Sequence, residues 1–234
     1  IERYREVLNK FKDQKLVYEC FETSPELELK RKKQQKQGKP PVYDRAALKL
    51  EVVEKDALRD KTDSYWRFLL SGETVTWRDK IAGEINVRTS VVSDPILVKG
   101  NGQFLYTLAS VIDDSDFGVT DVVRGIDHLT NTAVQIEIFR NLSAGLPVFG
   151  HHSLIVDNSG ENFSKRSGSL SIKSLKEAGI EAGAIVSKLV SLGTGDGLDL
   201  KNNIDELTSK FELRKFTIFF DYFSIIIINI YFSP

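Results

Sequence analysis

The sequence predicts an α/β protein composed of a strand-rich insertion, half of an open and mainly parallel sheet, and a small helical unit. Three observations carry this expectation. Residues 64–100 contain short runs rich in Val, Ile, Thr and Trp between Gly and Asp turns, the signature of antiparallel strands. Residues 104–156 alternate apolar runs with a helical pattern, which argues for a mainly parallel sheet. Residues 172–211 then carry only short helical periodicities.

The elements follow in chain order. Ile1, Tyr4, Leu8 and Phe11 recur every three to four residues and predict an amphipathic helix over 1–15. Leu16–Cys20 reads as a short strand. Ser24 before Pro25 and Glu26 predicts a helix start with Ser24 as N-cap, and the helix is expected to run to Gly38 before Pro40 and Pro41 stop it. Thr74–Trp77, Ile85–Arg88 and Ile96–Lys99 are the expected antiparallel strands. Phe104–Val111, Asp121–Val123 and Ser153–Val156 are the expected strands of the α/β sheet, with Thr130–Leu142 a helix between the last two. Ile172–Ala178, Ala182–Leu192 and Asn203–Phe211 read as helices.

Composition narrows the function classes. Among 234 residues, 41% are hydrophobic, which excludes disorder throughout. The 32 basic and 33 acidic residues nearly cancel, so any surface for a polyanion has to be local. The densest basic run is Lys30-Arg31-Lys32-Lys33 with Lys36, either a solvated helix face or a surface for phosphates. Cys20 is the only cysteine. It excludes an internal disulfide framework and a Cys-rich zinc site, in keeping with a reducing compartment. The first residues, Ile-Glu-Arg-Tyr, open in mid-pattern without a methionine or a cap, as expected of a truncated start. The apolar run Phe216–Phe232 approaches the length that spans a bilayer. Asp221 and Asn229 interrupt it, and three readings stand: an out-of-frame tail, a membrane segment, or a strand in need of a partner.

Two constellations carry chemistry. The stretch from Tyr106 through Ser110 to Asp114, followed by Arg124-Gly125-Ile126-Asp127-His128, places an arginine, a flexible glycine and titratable groups where open α/β sheets bind ligands. Arg124 could hold a carboxylate through two parallel hydrogen bonds, with Tyr106 adding a third, or these residues form a surface ion-pair set. The second is Asn158–Gly168, where glycines flank Ser164-Lys165-Arg166. It reads as an exposed turn, or as a loop bringing lysine charge onto a polyphosphate. The Walker pattern is absent. Gly150-His151-His152 reads as a strand-edge histidine pair.

Residues Tyr106–Asn131 (YTLASVIDDSDFGVTDVVRGIDHLTN), the Phe163-Ser164-Lys165-Arg166 loop, and the earlier Tyr18-Glu19-Cys20-Phe21 with Pro25-Glu26-Leu27 resemble glutamyl-tRNA synthetases in order and spacing, from residue 1 to about residue 215. The resemblance implies a class I fold: the second half of a Rossmann-type catalytic domain, with an inserted α+β acceptor-arm domain and a small following helical domain. The implied boundaries are 1–104 for the insertion, 105–158 for the catalytic half, 159–215 for the lysine loop and helical region, and 216–234 for an aberrant tail. It implies ATP-dependent activation of glutamate and its transfer to the 3' end of tRNA(Glu) in protein synthesis, in the cytoplasm. Tyr106, Ser110 and Arg124 would bind glutamate. Asp127, His128, Ser164, Lys165 and Arg166 would face ATP, which brings Mg2+, and Lys165 would be catalytic. No zinc and no stable membrane partner are implied.

Several positions depart from the family pattern. Asn162 stands where the family's Lys-Met-Ser-Lys-Ser-type loop has its first lysine, Ile126 where an acidic residue is common, and Glu22 where zinc-binding members have a second cysteine. Neither a His-Ile-Gly-His-type signature nor an anticodon-binding region is present. The chain alone is therefore expected to be incomplete. A non-catalytic tRNA-binding remnant, a degraded gene product, or a relative that glutamylates a modified tRNA base are the competing expectations.

Overall fold

The computed structural model describes residues 1–142, 145–155, 171–194 and 204–215. They divide into two compact units. The first comprises residues 1–77, 85–121 and 129–147; the second comprises 78–84, 122–128 and the chain from 148 onward.

In the first unit, helix α1 (Glu2–Asp13) buries Val7, Leu8 and Phe11, and the Phe11 ring lies 5.7 Å from Phe68. Strand β1 (Val17–Cys20) pairs antiparallel with β2 (Tyr65–Phe68), in the register Val17 to Phe68 and Cys20 to Tyr65. β2 in turn pairs antiparallel with β5 (Ile96–Val98), giving the order β1-β2-β5. β2 was not expected from the sequence. Its alternation is masked because Tyr65, Arg67 and Phe68 are all buried. Between β2 and β5 runs the hairpin of β3 (Thr74–Asp79) and β4 (Gly83–Arg88).

Helix α2 (Ser24–Lys36) starts one residue earlier than expected, and its N-cap is Thr23 rather than Ser24. The reason is Glu26, whose carboxylate accepts from the Thr23 amide at 2.7 Å and from the Thr23 hydroxyl at 2.8 Å. That capping box counts three residues back from Glu26, and it leaves Pro25 inside the first turn. α2 buries no residue. Helix α3 (Val52–Arg59), absent from the sequence reading, also buries none.

The expected strand Phe104–Val111 is a helix, α4 (Tyr106–Asp116). Leu108, Val111 and Ile112 are its buried residues, spaced three and four apart on one helical face. Period-two alternation would have put Leu108 and Val111 on opposite sides. The expected helix Thr130–Leu142 is α5 (Leu129–Leu142), buried continuously from Thr132 to Phe139. Its Glu137 carboxylate accepts from the Ser71 amide at 2.8 Å, the Ser71 hydroxyl at 2.9 Å and the Thr89 hydroxyl at 2.8 Å. It fixes the loops that lead out of β2 and β4.

The acceptor-rich centre of this unit is Asp94, whose side chain is 1% exposed. It takes four hydrogen bonds: from the Tyr18 hydroxyl (2.6 Å), Arg45 Nε and Nη2 (2.8 Å each) and the Leu70 amide (3.0 Å). Arg45 Nη2 also donates to the Leu70 carbonyl at 2.8 Å. Arg45 holds a left-handed backbone, φ 56 and ψ 30, a conformation that disfavours a residue with a Cβ. The two-pronged pair to Asp94 compensates for it.

In the second unit, β6 (Asp121–Gly125) pairs with β7 (Val148–His152). The strand expected at Ser153–Val156 therefore lies earlier, where Phe149, Gly150 and His151 are all buried. The Lys80 amide donates to the Phe149 carbonyl at 2.8 Å. Beside it, Asp79 Oδ1 accepts from the amides of Ile81 and Ala82 at 3.0 Å and of His151 at 2.9 Å, and Asp79 Oδ2 meets His151 Nδ1 at 2.6 Å, with neither side chain exposed. Burial pushes the Asp79 carboxyl up, but these donors outweigh it and hold the group below its ordinary range. Burial pushes the His151 imidazole down, against Asp79, and the charges of Arg124 and His128 push it further. The pair is thus a carboxylate accepting from a neutral Nδ1–H imidazole. The last described helices, α6 (Ile172–Glu177), α7 (Ala182–Thr194) and α8 (Ile204–Lys210), fall where the sequence placed them. Among the described residues no helix is long and apolar enough to cross a membrane; the run Phe216–Phe232 lies outside them.

Two tests follow from these carboxylates. Asp94→Ala should lower stability by about 3–5 kcal/mol, since it strands buried donors, whereas Tyr18→Phe should cost only about 1 kcal/mol; urea midpoints at unchanged slope report both, and equal losses would remove Asp94 from its central position. His151 has a lowered folded pKa, so the unfolded chain binds a proton that the native state refuses. Its stability contribution is complete above the unfolded value near 6.5 and is lost as pH falls below it. Melting temperature should fall from pH 7.5 to 5.5, and His151→Asn, which keeps a donor toward Asp79 but cannot take up the proton, should flatten that slope.

Candidate functional site

In the first unit the site residues stand on α4. Leu105, extended at φ −97 and ψ 159, brings the chain into the helix, and its amide donates to the Leu97 carbonyl at 2.8 Å. α4 therefore starts directly off strand β5. Tyr106 and Ser110 are one turn apart and share a face. Tyr106 is 59% exposed, so its hydroxyl is open to a ligand. Ser110 is half-buried, and its Oγ accepts from Gln135 Nε2 of α5 at 2.8 Å. Gln135 was not found from the sequence. The signal was available, since a Gln within the apolar run from Thr132 to Phe139 has to satisfy its amide on a neighbour.

The opposite end of α4 is anchored by charge. Tyr4 Oη donates to Asp113 at 2.7 Å, and Arg3 Nε to Asp116 at 3.0 Å. These contacts from α1 tie down the C-terminal end of the helix that presents Tyr106 and Ser110.

In the second unit, Arg124 lies on β6, and Gly125 leads into a 3-10 turn, Ile126–His128. The Arg124 guanidinium lies over the Phe149 ring, 5.6 Å from its centroid, a geometry suited to the planar cation. Gly125 leaves room at the strand end. A Cβ there would stand 2.5 Å from Asp127 Oδ1 and 2.7 Å from Leu154 Cδ2. A larger residue there would have to displace these two side-chain ends. Asp127 is exposed and His128 half-buried, with His128 Nε2 3.9 Å from Asp127 Oδ2. Arg124, Asp127 and His128 thus sit together on five consecutive residues, with the Asp79–His151 pair in the same unit.

The histidines divide in role. His151 is buried against Asp79, and His152 turns its Nδ1 to the Ser153 carbonyl at 2.8 Å. Asp79 itself was legible in principle. In β3 the inward positions are Val75, Trp77 and Asp79, and an acidic residue in the apolar phase of a strand requires a buried partner. Ser164, Lys165 and Arg166 lie outside the described residues, as does Asn162.

Comparison with known proteins extends this geometry. The family model described as tRNA synthetases class I (E and Q), catalytic domain, matches residues 1–224. Glutamate–tRNA ligase 1 of Roseobacter denitrificans is 48% identical over 217 residues, 92% of this chain and 49% of the relative. Glutamate–tRNA ligase 1 of Ruegeria pomeroyi is 49% identical over the same shares. The chain spans about half the length of the curated relatives it matches. Among solved structures, a glutamate-tRNA synthetase from Elizabethkingia anophelis superposes with a TM-score of 0.78 at 25% identity, over 92% of this chain and 49% of that one. A glutamate tRNA ligase from Elizabethkingia meningosepticum, in complex with its amino acid, gives 0.77 at 24%, over the same shares, and bears on the fold alone. The chain belongs to the class I tRNA synthetases of the E and Q type, whose catalytic domain it matches over most of its length.

Proposed function

We propose that this chain supplies part of a cytoplasmic glutamate–tRNA ligase, which activates glutamate with ATP and transfers it to the 3' end of tRNA(Glu). The observation that carries the reading is the family match over residues 1–224, with relatives named glutamate–tRNA ligases at 48–49% identity. In this reading residues 1–104 are the inserted acceptor-arm domain, 105–158 the second half of the Rossmann-type domain, 159–215 the lysine loop and stem-contact helices, and 216–234 an aberrant tail.

The chemistry assigned to each side chain follows from its type and setting. Arg124, a planar cation stacked on Phe149, holds the glutamate carboxylate with paired hydrogen bonds. Tyr106 donates from its exposed hydroxyl. Ser110, already accepting from Gln135, is left with its own proton to donate. Asp127 and His128 line the nucleotide side. Ser164, Lys165 and Arg166 serve the ATP phosphates, Lys165 as the compact cation that meets charge developing on the departing pyrophosphate. Glutamate's α-carboxylate oxygen attacks the α-phosphorus of ATP and pyrophosphate leaves; the terminal adenosine hydroxyl of tRNA then attacks the activated carbonyl and AMP leaves. The protein's share is positioning and charge stabilisation.

Mg2+ enters with ATP in this scheme. The reading includes no zinc, since Glu22 stands where zinc-binding members have a second cysteine; the buried Cys20 thiol faces the Tyr43 hydroxyl at 3.6 Å.

The test is tRNA-dependent incorporation of labelled glutamate, by this chain alone and with the remaining length of a relative added in trans. Recovery in the mixture is expected; silence in both would reject the reading. In the active mixture Arg124→Lys should raise the KM for glutamate by roughly ten- to a hundredfold, the worth of a hydrogen bond to a charged group, with the KM for ATP unchanged. An equal effect on both would remove Arg124 from the glutamate carboxylate.

A further inference from the structure

A second cationic feature lies in the first unit, apart from the residues assigned to glutamate and ATP. Arg67, on β2, is 4% exposed. Its guanidinium lies 4.2 Å from the Tyr43 ring centroid and 5.4 Å from that of Tyr65, and its Nη1 donates to the Asp94 carbonyl. The nearby Asp94 carboxylate is taken by Arg45, Tyr18 and the Leu70 amide. Arg67 therefore carries a buried charge without a carboxylate of its own, and its Nε has no hydrogen-bond partner. Such a charge is costly unless a counter-ion reaches it.

Arg67 lines a small cleft with Arg31, Lys30, Tyr43, Asp44 and Ser93, whose inner space of about 20 Å³ holds one oxygen-sized group. The charges around it are unequal. Lys30 is neutralised by Glu22 at 3.1 Å and Asp44 at 3.2 Å, and Asp44 Oδ1 also accepts from the Ala46 amide at 3.1 Å. Arg31, exposed on α2, has no acidic partner among the described residues. Ser93 Oγ accepts from the Tyr43 amide at 3.0 Å, which leaves its proton to donate. Lys30 faces two carboxylates, so Lys30, Arg31 and Arg67 set against Glu22 and Asp44 leave a net charge of +1 at the cleft that Arg31 and Arg67 line.

We propose that this cleft is an oxyanion site of the phosphate class. One phosphate oxygen enters to Arg67 Nε and the Ser93 hydroxyl, and the rest of the group stays outside with Arg31. The phosphate comes either from free inorganic phosphate or from an RNA backbone, and the RNA form rests on the ligase reading. The cleft is open enough for a terminal or backbone phosphate and too small for a nucleoside. Its determinants lie on α2, β2 and the residues before β5, none of which carries a residue assigned to glutamate or ATP.

The experiment uses the chain as it stands and no charging reaction, so its failure and that of the ligase reading are separate. Calorimetric titration with inorganic phosphate should give saturable binding, weakened about tenfold by Arg31→Ala and unchanged by Lys36→Ala, which removes the same charge from the same helix at a residue that does not line the cleft. Arg67→Gln should abolish binding. Should that variant fail to fold, as read by circular dichroism, the Arg31 and Lys36 variants decide between them. In a parallel arm, an RNA duplex that phosphate displaces and Arg31→Ala weakens identifies the backbone source; RNA binding that neither affects, beside saturable phosphate binding, identifies the free anion. No saturable phosphate binding, or binding to which Arg31→Ala and Lys36→Ala contribute equally, overturns the proposal.

Discussion

Asp94 is the constraint on which the first unit depends. Around the three-stranded sheet, Tyr18, Cys20, Ala47 and Tyr65 with their partly buried neighbours form one buried cluster, beside further buried residues of the same unit such as Phe11, Phe68, Leu97 and Leu108. The loops that close over such a core bring polar backbone with them, and each buried amide or carbonyl needs a partner. One carboxylate meets that need. It ties β1 through Tyr18, the segment before the first 3-10 turn through Arg45, and the exit of β2 through Leu70. A two-pronged pair also holds Arg45 in its left-handed backbone, a local strain that persists only where the surroundings over-determine it. The same network claims the anion that Arg67 would otherwise pair with. That is why a buried guanidinium is left to aromatic rings and a cleft.

The second unit uses the same device on a smaller scale. Asp79 closes the tip of the β3–β4 hairpin by accepting from two amides of its own turn, and with its remaining capacity it takes the amide and ring of His151. A carboxylate at a turn is common; one that is fully buried and binds a second strand is a structural rivet. Because His151 stays neutral, the pair keeps a net negative charge, and Arg124 works on it by pushing the imidazole further from protonation. The arginine assigned to glutamate is thus coupled electrostatically to a buried carboxylate–imidazole pair whose histidine lies on the strand paired with its own.

How much of this was legible depended on which period the side chains obeyed. α1, α5 and α6–α8 were read correctly because their apolar spacing is helical and little competes with it. α4 was misread because YTLASVI is dense in apolar and β-branched residues; only the burial of Leu108, Val111 and Ile112 on one face separates helix from strand. β2 was missed for the converse reason, since Arg67 buried between two tyrosines breaks the alternation that marks a half-buried strand. At the candidate site, the residue types Tyr106, Ser110, Arg124, Asp127 and His128 were legible as motifs. The residues that position them were not: Gln135 acts across a helix pair, Asp79 across seventy-two residues of sequence, and Gly125 through space rather than conformation. Long-range acceptors leave no local pattern, only a polar residue in an apolar phase.

That criterion can be turned around and applied to α2. A helix usually holds its place in a fold by burying a face, yet no residue of α2 is fully buried, and its apolar contribution is Leu27, partly buried against the cluster of Tyr18, Cys20, Ala47 and Tyr65. What holds it is local: the Thr23–Glu26 capping box, Pro25 in the first turn, acidic residues near the start and lysines near the end, in the sense the helix dipole favours. Lys30, through Glu22 and Asp44, and Gln34, through the Val42 carbonyl, supply its ties to the rest of the unit. With Leu27 its apolar anchor and the rest of its ties polar, α2 presents most of its surface to solvent. What α2 displays beyond those ties is positive charge, with Arg31 at the mouth of the cleft that Arg67 closes. A solvated face alone would need no buried, stacked guanidinium behind it; a face that receives a phosphate does.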